Sequence, residues 1–250
     1  MITIKSKDEL QLMRKSGKVV GDALVELGRR IKPGVTTDEL DRFAFDFFKK
    51  NDCVPAFKGY HGYPSTICTS VNDEVVHGIP GKRVLNEGDV VGVDIGAFYK
   101  GYCGDSARTF AVGKISPDAK KLLEVTAKAL DKGIEQCRVG NRISDIGHAV
   151  QEYVEAFGYT VVRDYVGHGI GQAMHEEPQV SNYGKPHQGP KMVEGMCLAL
   201  EPMVNIGSEE VRVLEDGWTV VTKDGKWSAH FEDTVAILPD GPEILTRVNP

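Results

Sequence analysis

A pair of helices followed by a set of strands occurs twice along this chain, and this doubled plan restricts the folds that it can adopt. Apolar or small residues repeat at helical spacing over residues 10–31, and Pro33-Gly34 ends that helix before Thr37 caps a second one. In the second half, Ser116-Pro117 opens a third helix, and a break at Gly140-Asn141 separates it from a fourth.

Strands are predicted after each helix pair. The first set covers 64–71, 90–98 and 104–113, and the second covers 159–166, 196–204, 211–222 and 228–238. Helices and then strands in both halves predict the α+β class around one curved sheet. We expect one domain over residues 1–250, with two pseudo-symmetric halves at about 1–113 and 114–250.

Charge and cysteine content exclude several classes of protein. The formal net charge is -6, so the chain has no overall field that attracts nucleic acid or an anionic membrane. The 5 cysteines are widely spaced and form no CxxC pair, which favours free thiols in a reducing cytosol.

The first residues lack the apolar segment of a signal peptide, and no apolar run approaches ~18 residues. We therefore expect a cytoplasmic protein without a membrane or a sequence-specific nucleic-acid partner.

Two aspartates lie where the chain is otherwise apolar, in VVGVDIGAFYKGYCGDSARTF at residues 90–110. If the two strands form a hairpin that turns at Tyr99-Lys100-Gly101, Asp94 and Asp105 lie directly opposite each other, with Cβ atoms ~4.5–5.5 Å apart. Facing carboxylates in an apolar sheet repel, whereas a divalent cation binds such hard oxygen donors. The alternative is that Asp105 only caps a loop after Gly104.

Acidic residues also interrupt two predicted strands of the second half. Glu201 follows the apolar run of CLALEPMV, and Glu232 lies in SAHFEDTVAIL, where alternation turns it away from Asp233. Buried acidic residues are rare unless they are paired, so four in strand interiors predict one common site. His168, framed by glycines in YVGHGIGQAMHEEP, is the expected fifth ligand.

One imidazole and four carboxylates describe a site for two divalent metal ions. Such a pair activates a shared water and polarises a carbonyl oxygen, which suits hydrolysis of an amide or a phosphoester. Co²⁺, Mn²⁺, Fe²⁺ and Zn²⁺ all fit this donor set. His77 and His175 are weaker candidates for the site. The remaining histidines are predicted to be ordinary surface or core residues: His61, His148, His187 and His230.

Five motifs follow one another in an order and spacing that resemble the type I methionine aminopeptidases: NDEVVHGIP, GVDIGAFYKGYCGDSARTF, GHGIGQAMHEEP, LALEPM and HFEDTVAI. The resemblance covers roughly residues 5–248 and implies the pita-bread fold, whose two pseudo-symmetric halves agree with the doubled plan. It implies that Asp94 binds one metal ion and that His168 and Glu201 bind the other. Asp105 and Glu232 would bridge the two ions.

The resemblance also implies roles beyond the metal ligands. His77 and His175 would contact the scissile amide, with His175 stabilising the tetrahedral intermediate, and Glu201 is the expected proton acceptor. The aromatic rings and sulfur atoms of the implied side-chain pocket suit a thioether. Its residues are Phe57, Tyr60, Tyr63, Cys68, Met174 and Trp218.

The implied reaction is removal of the initiator methionine from nascent proteins when the second residue is small. The implied partners are peptide N-termini, with transient contact to the ribosome, and a monomer is expected. The chain has neither a Cys/His-rich N-terminal extension nor a long helical insertion, which indicates the short bacterial-like subtype. Phe57 and Val76 stand where this family often has cysteine, and Met174 where it often has an aromatic residue, so the pocket is expected to differ in shape.

Three alternatives have features that distinguish them. A prolidase or aminopeptidase P shares the fold and the five ligands but usually carries an extra N-terminal domain, for which 250 residues leave no space. A non-catalytic binding protein on the same fold loses ligands, whereas all five are present here. A two-metal phosphoesterase is disfavoured because the motifs hold no cluster of Lys or Arg for phosphate.

Overall fold

Four helices form where the sequence predicts them. Ser6 caps the first and Ser116 the third, each accepting a hydrogen bond from a backbone N–H of the first turn. The predicted cap of the second helix at Thr37 is wrong, because Thr36 and Glu39 exchange the capping hydrogen bonds one residue earlier. The bounds are Lys7–Arg30 (α1), Thr37–Lys50 (α2), Pro117–Glu135 (α3) and Ile143–Glu155 (α4). Over the described residues, none of the helices is long and apolar enough to cross a membrane.

The computed structural model describes residues 1–247, so the last three residues of the predicted domain and of its second half lie outside the described residues. The strands of the first half are Val54–Pro55 (β1), Ile67–Val71 (β2), Glu74–Val76 (β3), Val90–Tyr99 (β4) and Tyr102–Ala111 (β5). Those of the second half are Thr160–Val161 (β6), Gly167–Gly169 (β7), Glu176–Val180 (β8), Cys197–Leu200 (β9), Met203–Asn205 (β10), Val211–Val213 (β11), Val220–Thr222 (β12), Ser228–His230 (β13), Glu232–Leu238 (β14) and Gly241–Ile244 (β15). A short 3₁₀ helix spans Tyr60–Gly62.

The strands form one large antiparallel sheet and two small ones. The large sheet has nine strands in the order β1-β4-β5-β14-β9-β7-β8, with β2 paired to β4 and β15 paired to β14. The small sheets have the orders β13-β10-β6 and β11-β12-β3. The first-half strands therefore form one side of the large sheet and the second-half strands the other, and the two sets meet where β5 pairs with β14. The predicted division into two pseudo-symmetric halves stays a prediction.

Several predicted strands are longer than the observed ones because a local feature divides them. The segment 211–222 contains a turn in which the Asp216 carboxylate accepts the backbone N–H groups of Trp218 and Thr219. The segment 196–204 is divided at Pro202, which lacks the N–H that a ladder needs.

The β4–β5 hairpin has a different register from the predicted one. Its turn has two residues, Lys100 and Gly101, both with positive φ (46° and 84°), which suits the right-handed twist of the strands. Asp94 is consequently opposite Ala107, and Asp105 is opposite Gly96. The prediction that the two aspartates lie directly opposite is wrong by two positions. A shift of two leaves both on the same face, since side chains alternate with a period of two.

The helices cover one face of the large sheet. Val91, Val93 and Ile95 of β4 pack into a core with the apolar side of α1 and α2. Helix α1 lies directly on β5, where Gly17 and Gly104 are too close together for a Cβ at Gly104. Asp94 points to the opposite face, because it alternates with those core residues. Asp94 and Asp105 thus lie on the side away from α1.

Candidate metal centre

A cavity of about 180 Å³ opens on the face of the sheet that carries Asp94. All thirteen predicted site residues line it: Phe57, Tyr60, Tyr63, Cys68, His77, Asp94, Asp105, His168, Met174, His175, Glu201, Trp218 and Glu232. The structure adds Tyr165 and Val166, which precede the glycine-framed histidine and were missed in the sequence. The available signal was their position in the chain, directly before Gly167 and within three residues of His168.

Sheet topology explains why five donors so distant in sequence meet. Asp94 lies on β4, Asp105 on β5, Glu232 at the start of β14, Glu201 directly after β9, and His168 in the middle of β7. These are five consecutive strands of the large sheet. Neighbouring strands lie ~4.8 Å apart, so one donor from each forms a compact row across the sheet.

The donor atoms are close enough to share a cation. One ligand atom each of Asp105, His168 and Glu232 lie within 4.8 Å of one another. The Nε2 atom of His168 lies 3.5 Å from Oε1 of Glu201. The Nδ1 atom of His168 lies 2.9 Å from the Gly169 carbonyl oxygen, which can only accept a hydrogen bond. Nδ1 therefore carries the hydrogen, and the Nε2 lone pair is free to bind a metal ion.

Several acidic oxygens in this row are buried without a partner. Among the residues that the structure describes, Asp94 Oδ1, Asp105 Oδ1 and Glu232 Oε1 have no hydrogen-bond partner. Buried polar atoms of this kind are rare in folded proteins because their desolvation is not repaid by any interaction. A divalent cation supplies the missing interaction for all three, so the residues present fit such an ion.

The pKa values show the same lack of partners. Burial raises the pKa of Asp94 to about 7. Burial raises the pKa of Asp105 well above its usual range, and the charges of Asp94 and Glu201 add to this. The pKa values of Glu201 and Glu232 are raised in the same way, by burial first and by neighbouring carboxylates second. The row is therefore poised to exchange protons for cations.

The histidines of the cavity are held neutral. Burial lowers the pKa of His77 to about 4 and that of His168 to about 4, with the nearby His175 adding to both shifts. Burial also lowers the pKa of His175, and the Tyr60 hydroxyl lies 2.7 Å from its Nδ1 atom. His77 has a positive φ of 61°, which is uncommon for a residue with a side chain and is typical of functional sites.

An apolar pocket adjoins the acidic row. Phe57, Tyr63, Cys68 and Met174 belong to one buried cluster, and the Tyr63 ring meets Trp218 edge-on at a centroid distance of 5.1 Å. The Tyr63 hydroxyl donates to backbone carbonyl oxygens, so it does not place an unpaired polar group in the pocket. The five cysteines, Cys68 included, are free thiols, as predicted.

His230 is the residue that the sequence interpretation most undervalued. It is buried, which agrees with the prediction of an ordinary surface or core residue. Its Nε2 atom, however, lies 3.9 Å from Oε2 of Glu201. The alternation that turns Glu232 toward the site turns His230 the same way, so the signal was present. His148 and His187 do not line the cavity, and His61 packs against the Tyr60 ring at 4.4 Å.

Comparisons with known proteins agree with this geometry. The model of metallopeptidase family M24 matches residues 11–239. A methionine aminopeptidase of Clostridium acetobutylicum is 59% identical over 98% of this chain and 99% of its own length. Methionine aminopeptidase 1 of Bacillus subtilis is 55% identical over 99% of this chain and 100% of its own length.

Solved structures give the same result for the fold. The crystal structure of a methionine aminopeptidase from Thermotoga maritima has a TM-score of 0.98 at 48% identity, covering 99% of this chain and 100% of that one. A prolidase from Pyrococcus furiosus has a TM-score of 0.80 at 23% identity, covering 99% of this chain but 66% of that one. The predicted α+β pita-bread fold is thereby confirmed.

Proposed function

The chain belongs to the methionine aminopeptidases of metallopeptidase family M24, and from this premise we propose that it removes the N-terminal methionine of peptides and nascent proteins when the second residue is small. The observation that carries the proposal is the row of partnerless acidic oxygens beside His168, with an apolar pocket next to it. A cation site alone would suit many hydrolases, and the pocket supplies the preference for a thioether side chain.

The proposed ligands are the five donors of the row. Asp94 would hold one divalent ion, His168 and Glu201 a second, and Asp105 and Glu232 would contact both. The mixed nitrogen and oxygen donors suit Mn²⁺, Fe²⁺, Co²⁺ or Zn²⁺. When bound, such ions polarise a carbonyl oxygen and lower the pKa of a water molecule.

Glu201 is the proposed proton acceptor. Its side chain is largely buried, and its Oε1 atom lies 3.5 Å from Nε2 of His168, so the carboxylate lies within the proposed site. Its backbone carbonyl oxygen accepts a hydrogen bond from Asn182, so the main chain at this position is held. In the proposed reaction, Glu201 takes a proton from the attacking water and later gives it to the departing amine.

His175 is the proposed donor to the carbonyl oxygen of the scissile amide. Its imidazole is neutral, so only one of its two nitrogens carries a hydrogen. If the Tyr60 hydroxyl donates to Nδ1 across the 2.7 Å contact, the hydrogen is on Nε2. Tyr60 thus gains a second proposed role besides lining the pocket, because it selects the tautomer that can stabilise developing negative charge.

His77 is proposed to hold the scissile amide from the other side. Its imidazole ring meets Tyr165 edge-on at a centroid distance of 5.5 Å, and its backbone is fixed in the left-handed region. A residue held in this conformation has little freedom to move with the substrate. The methionine side chain would lie against Phe57, Cys68 and Met174, which lack unpaired polar groups in the described part of the chain.

The remaining parts of the proposal concern the setting of the reaction. We propose a monomeric, cytoplasmic enzyme that meets the ribosome transiently, because nascent N-termini appear there. The prolidase alternative has support only at the level of fold, since that likeness is 23% identical. The alternative of a non-catalytic binding protein is disfavoured because all five predicted donors line one cavity.

The test is a peptide assay on metal-depleted protein reconstituted with Mn²⁺ or Co²⁺. We expect release of methionine from Met-Ala-Ser and little release from Met-Leu-Ser, and Xaa-Pro dipeptides should remain intact. Asp105→Asn serves as the matched control, since it keeps the size of the side chain and removes its charge. Turnover of Xaa-Pro in preference to Met-Ala-Ser, or equal turnover by the control, would contradict the proposal.

A further inference from the structure

His230 lies beside Glu201 with its backbone held on both sides. Its backbone N–H donates to the Thr109 hydroxyl, which in turn donates to the His230 carbonyl oxygen, both at 2.9 Å. It also pairs with Met203 in the small sheet. The side chain is 3% exposed, so its remaining freedom is rotation of the imidazole within a closed space.

The imidazole has an unpartnered ring nitrogen that faces a carboxylate. Within residues 1–247, Nε2 of His230 is buried and has no hydrogen-bond partner. Its nearest acidic atom is Oε2 of Glu201 at 3.9 Å, whereas Oε1 of the same carboxylate faces Nε2 of His168 at 3.5 Å. Glu201 thus lies between two imidazoles, each next to a different oxygen.

We propose that His230 is a positioning residue for Glu201. Nε2–H of His230 donates to Oε2 of the ionised carboxylate, which leaves Oε1 on the His168 side for the cation. The inference deepens the proposed function and rests on its assignment of Glu201 as a ligand. It concerns a residue that lies outside the five motif donors.

The physical reason is that a glutamate carboxylate, which rotates about its side-chain torsions, can present either oxygen, or both, to a cation. A hydrogen bond to an ionised acceptor is stronger than a neutral one, and shortening the contact from 3.9 Å needs a side-chain shift of only about 1 Å. Groups that orient a metal-binding side chain in this way typically change metal affinity or activity by about 10–100-fold when removed.

The first experiment compares His230→Leu with His230→Gln in the full-length chain. Leucine fills a similar space without a donor, and the glutamine amide offers an N–H at a similar reach. Metal-depleted protein is titrated with Mn²⁺ by calorimetry, and the visible spectrum is recorded with Co²⁺. For His230→Leu we expect about 10–100-fold weaker binding of one metal equivalent and an altered Co²⁺ spectrum. His230→Gln should restore both.

The second experiment separates positioning from substrate binding and from folding. With Met-Ala-Ser, kcat of His230→Leu should fall by about 10–100-fold while KM stays close to the wild-type value. His148→Leu is the matched control, because His148 is half-buried and does not line the cavity. Thermal unfolding of each metal-free variant shows whether it is folded. If His230→Leu is unfolded, His230→Asn replaces it, because the asparagine amide is one methylene shorter than that of glutamine.

The outcomes distinguish this inference from the proposed function. Wild-type metal affinity, spectrum and kcat in a folded His230→Leu protein would overturn the positioning role and leave the proposed function intact. A folded His230→Gln protein that is as impaired as His230→Leu would also overturn it, since the donor would then be irrelevant. If wild-type protein neither binds Mn²⁺ nor cleaves Met-Ala-Ser, both proposals fail together.

Discussion

Raising the pH above neutrality is expected to destabilise the metal-free protein, and a divalent cation is expected to cancel the loss. Burial raises the pKa values of four carboxyl groups, those of Asp94, Asp105, Glu201 and Glu232. Three of them have an oxygen without a hydrogen-bond partner in the described residues, and the backbone hydrogen bond of Ser106 opposes the shift only in part, at Asp105. In the unfolded chain the same groups titrate near about 4. The folded protein therefore holds protons that the unfolded chain has already released.

The sign and the size follow from proton linkage. A carboxyl group with a raised pKa contributes its full stability below about pH 4 and loses it as the pH rises through the folded-state pKa, which for Asp94 is about 7. Each carboxyl that still holds its proton between about pH 7 and about pH 8 reduces the free energy of unfolding by about 1.4 kcal/mol per pH unit. For Asp94 alone, the difference between 3.8 and about 7 corresponds to about 4 kcal/mol over the whole titration, as an upper limit.

Between about pH 7 and about pH 8, other titratable groups change the free energy of unfolding only slightly. The pKa values of His77, His168 and His230 are lowered by burial to about 4, about 4 and about 3. A lowered histidine pKa gives stability that is present above about pH 6.5 and is lost as the pH falls, so these groups are nearly constant above about pH 7. The thiols enter only near about pH 8.5.

The assay is urea unfolding of chelator-treated protein at about pH 7, 7.5 and 8 and constant ionic strength, with and without Mn²⁺. Glu232→Gln is the matched variant, and its downward slope against pH should be less steep, because one carboxyl group with a raised pKa is gone. With Mn²⁺ the downward slope should vanish, since the cation binds the deprotonated carboxylates. A metal-free stability that is constant or increases over this window would refute the reasoning.

Three further predictions concern single side chains. Asp105→Asn should lose one metal equivalent by elemental analysis and more than about 100-fold in kcat/KM, because an acidic oxygen of the row is replaced by a neutral amide; normal metal content would contradict this. Tyr60→Phe should reduce kcat by about tenfold with unchanged metal content, because the 2.7 Å contact to Nδ1 of His175 is lost. Nitrogen NMR should then show His175 in mixed tautomers, and a single unchanged tautomer would contradict the role of Tyr60. Lys5→Met should lower the free energy of unfolding, measured by urea unfolding, by about 3 kcal/mol, since it leaves the largely buried Glu176 carboxylate without its ammonium partner at 2.7 Å. A loss below about 1 kcal/mol would show that water replaces the lysine.

The helices and the strand faces that line the cavity were predictable because their signals are local. Helical periodicity and caps act over a few residues, and only the position of the second cap was wrong, by one residue. Alternation within a strand shows which side chains share a face, and it correctly turned Glu232 away from Asp233. The register of the β4–β5 hairpin was not predictable, because it depends on whether the turn has two or three residues. Lys100, which is not a typical residue for positive φ, hid the two-residue turn.

The order of the strands was the larger unknown. Strand β14 lies between β5 and β9, which brings Glu232 between Asp105 and Glu201. No local sequence pattern specifies which strands are neighbours in the sheet. The donors were grouped correctly because four buried acidic residues need a common explanation, not because their adjacency could be derived. His230 was undervalued for the same reason, since its contact with Glu201 joins β13 of a small sheet to the end of β9 in the large one.

Burial of a carboxylate does not by itself identify a metal ligand, and β14 shows the distinction within two residues. Asp233 is fully buried, yet Arg108 and Arg247 donate to its two oxygens and Thr246 donates to one of them. Glu232, on the other face, has an oxygen without any partner in the described residues. An ion pair satisfies the first carboxylate, so a cation would gain nothing there, whereas the second is stable as an anion only with a cation beside it. The feature that marks the site is therefore a buried carboxylate oxygen without a partner. A sequence pattern cannot show which acidic residue is already paired, because Arg108 lies 125 positions from Asp233 in the chain.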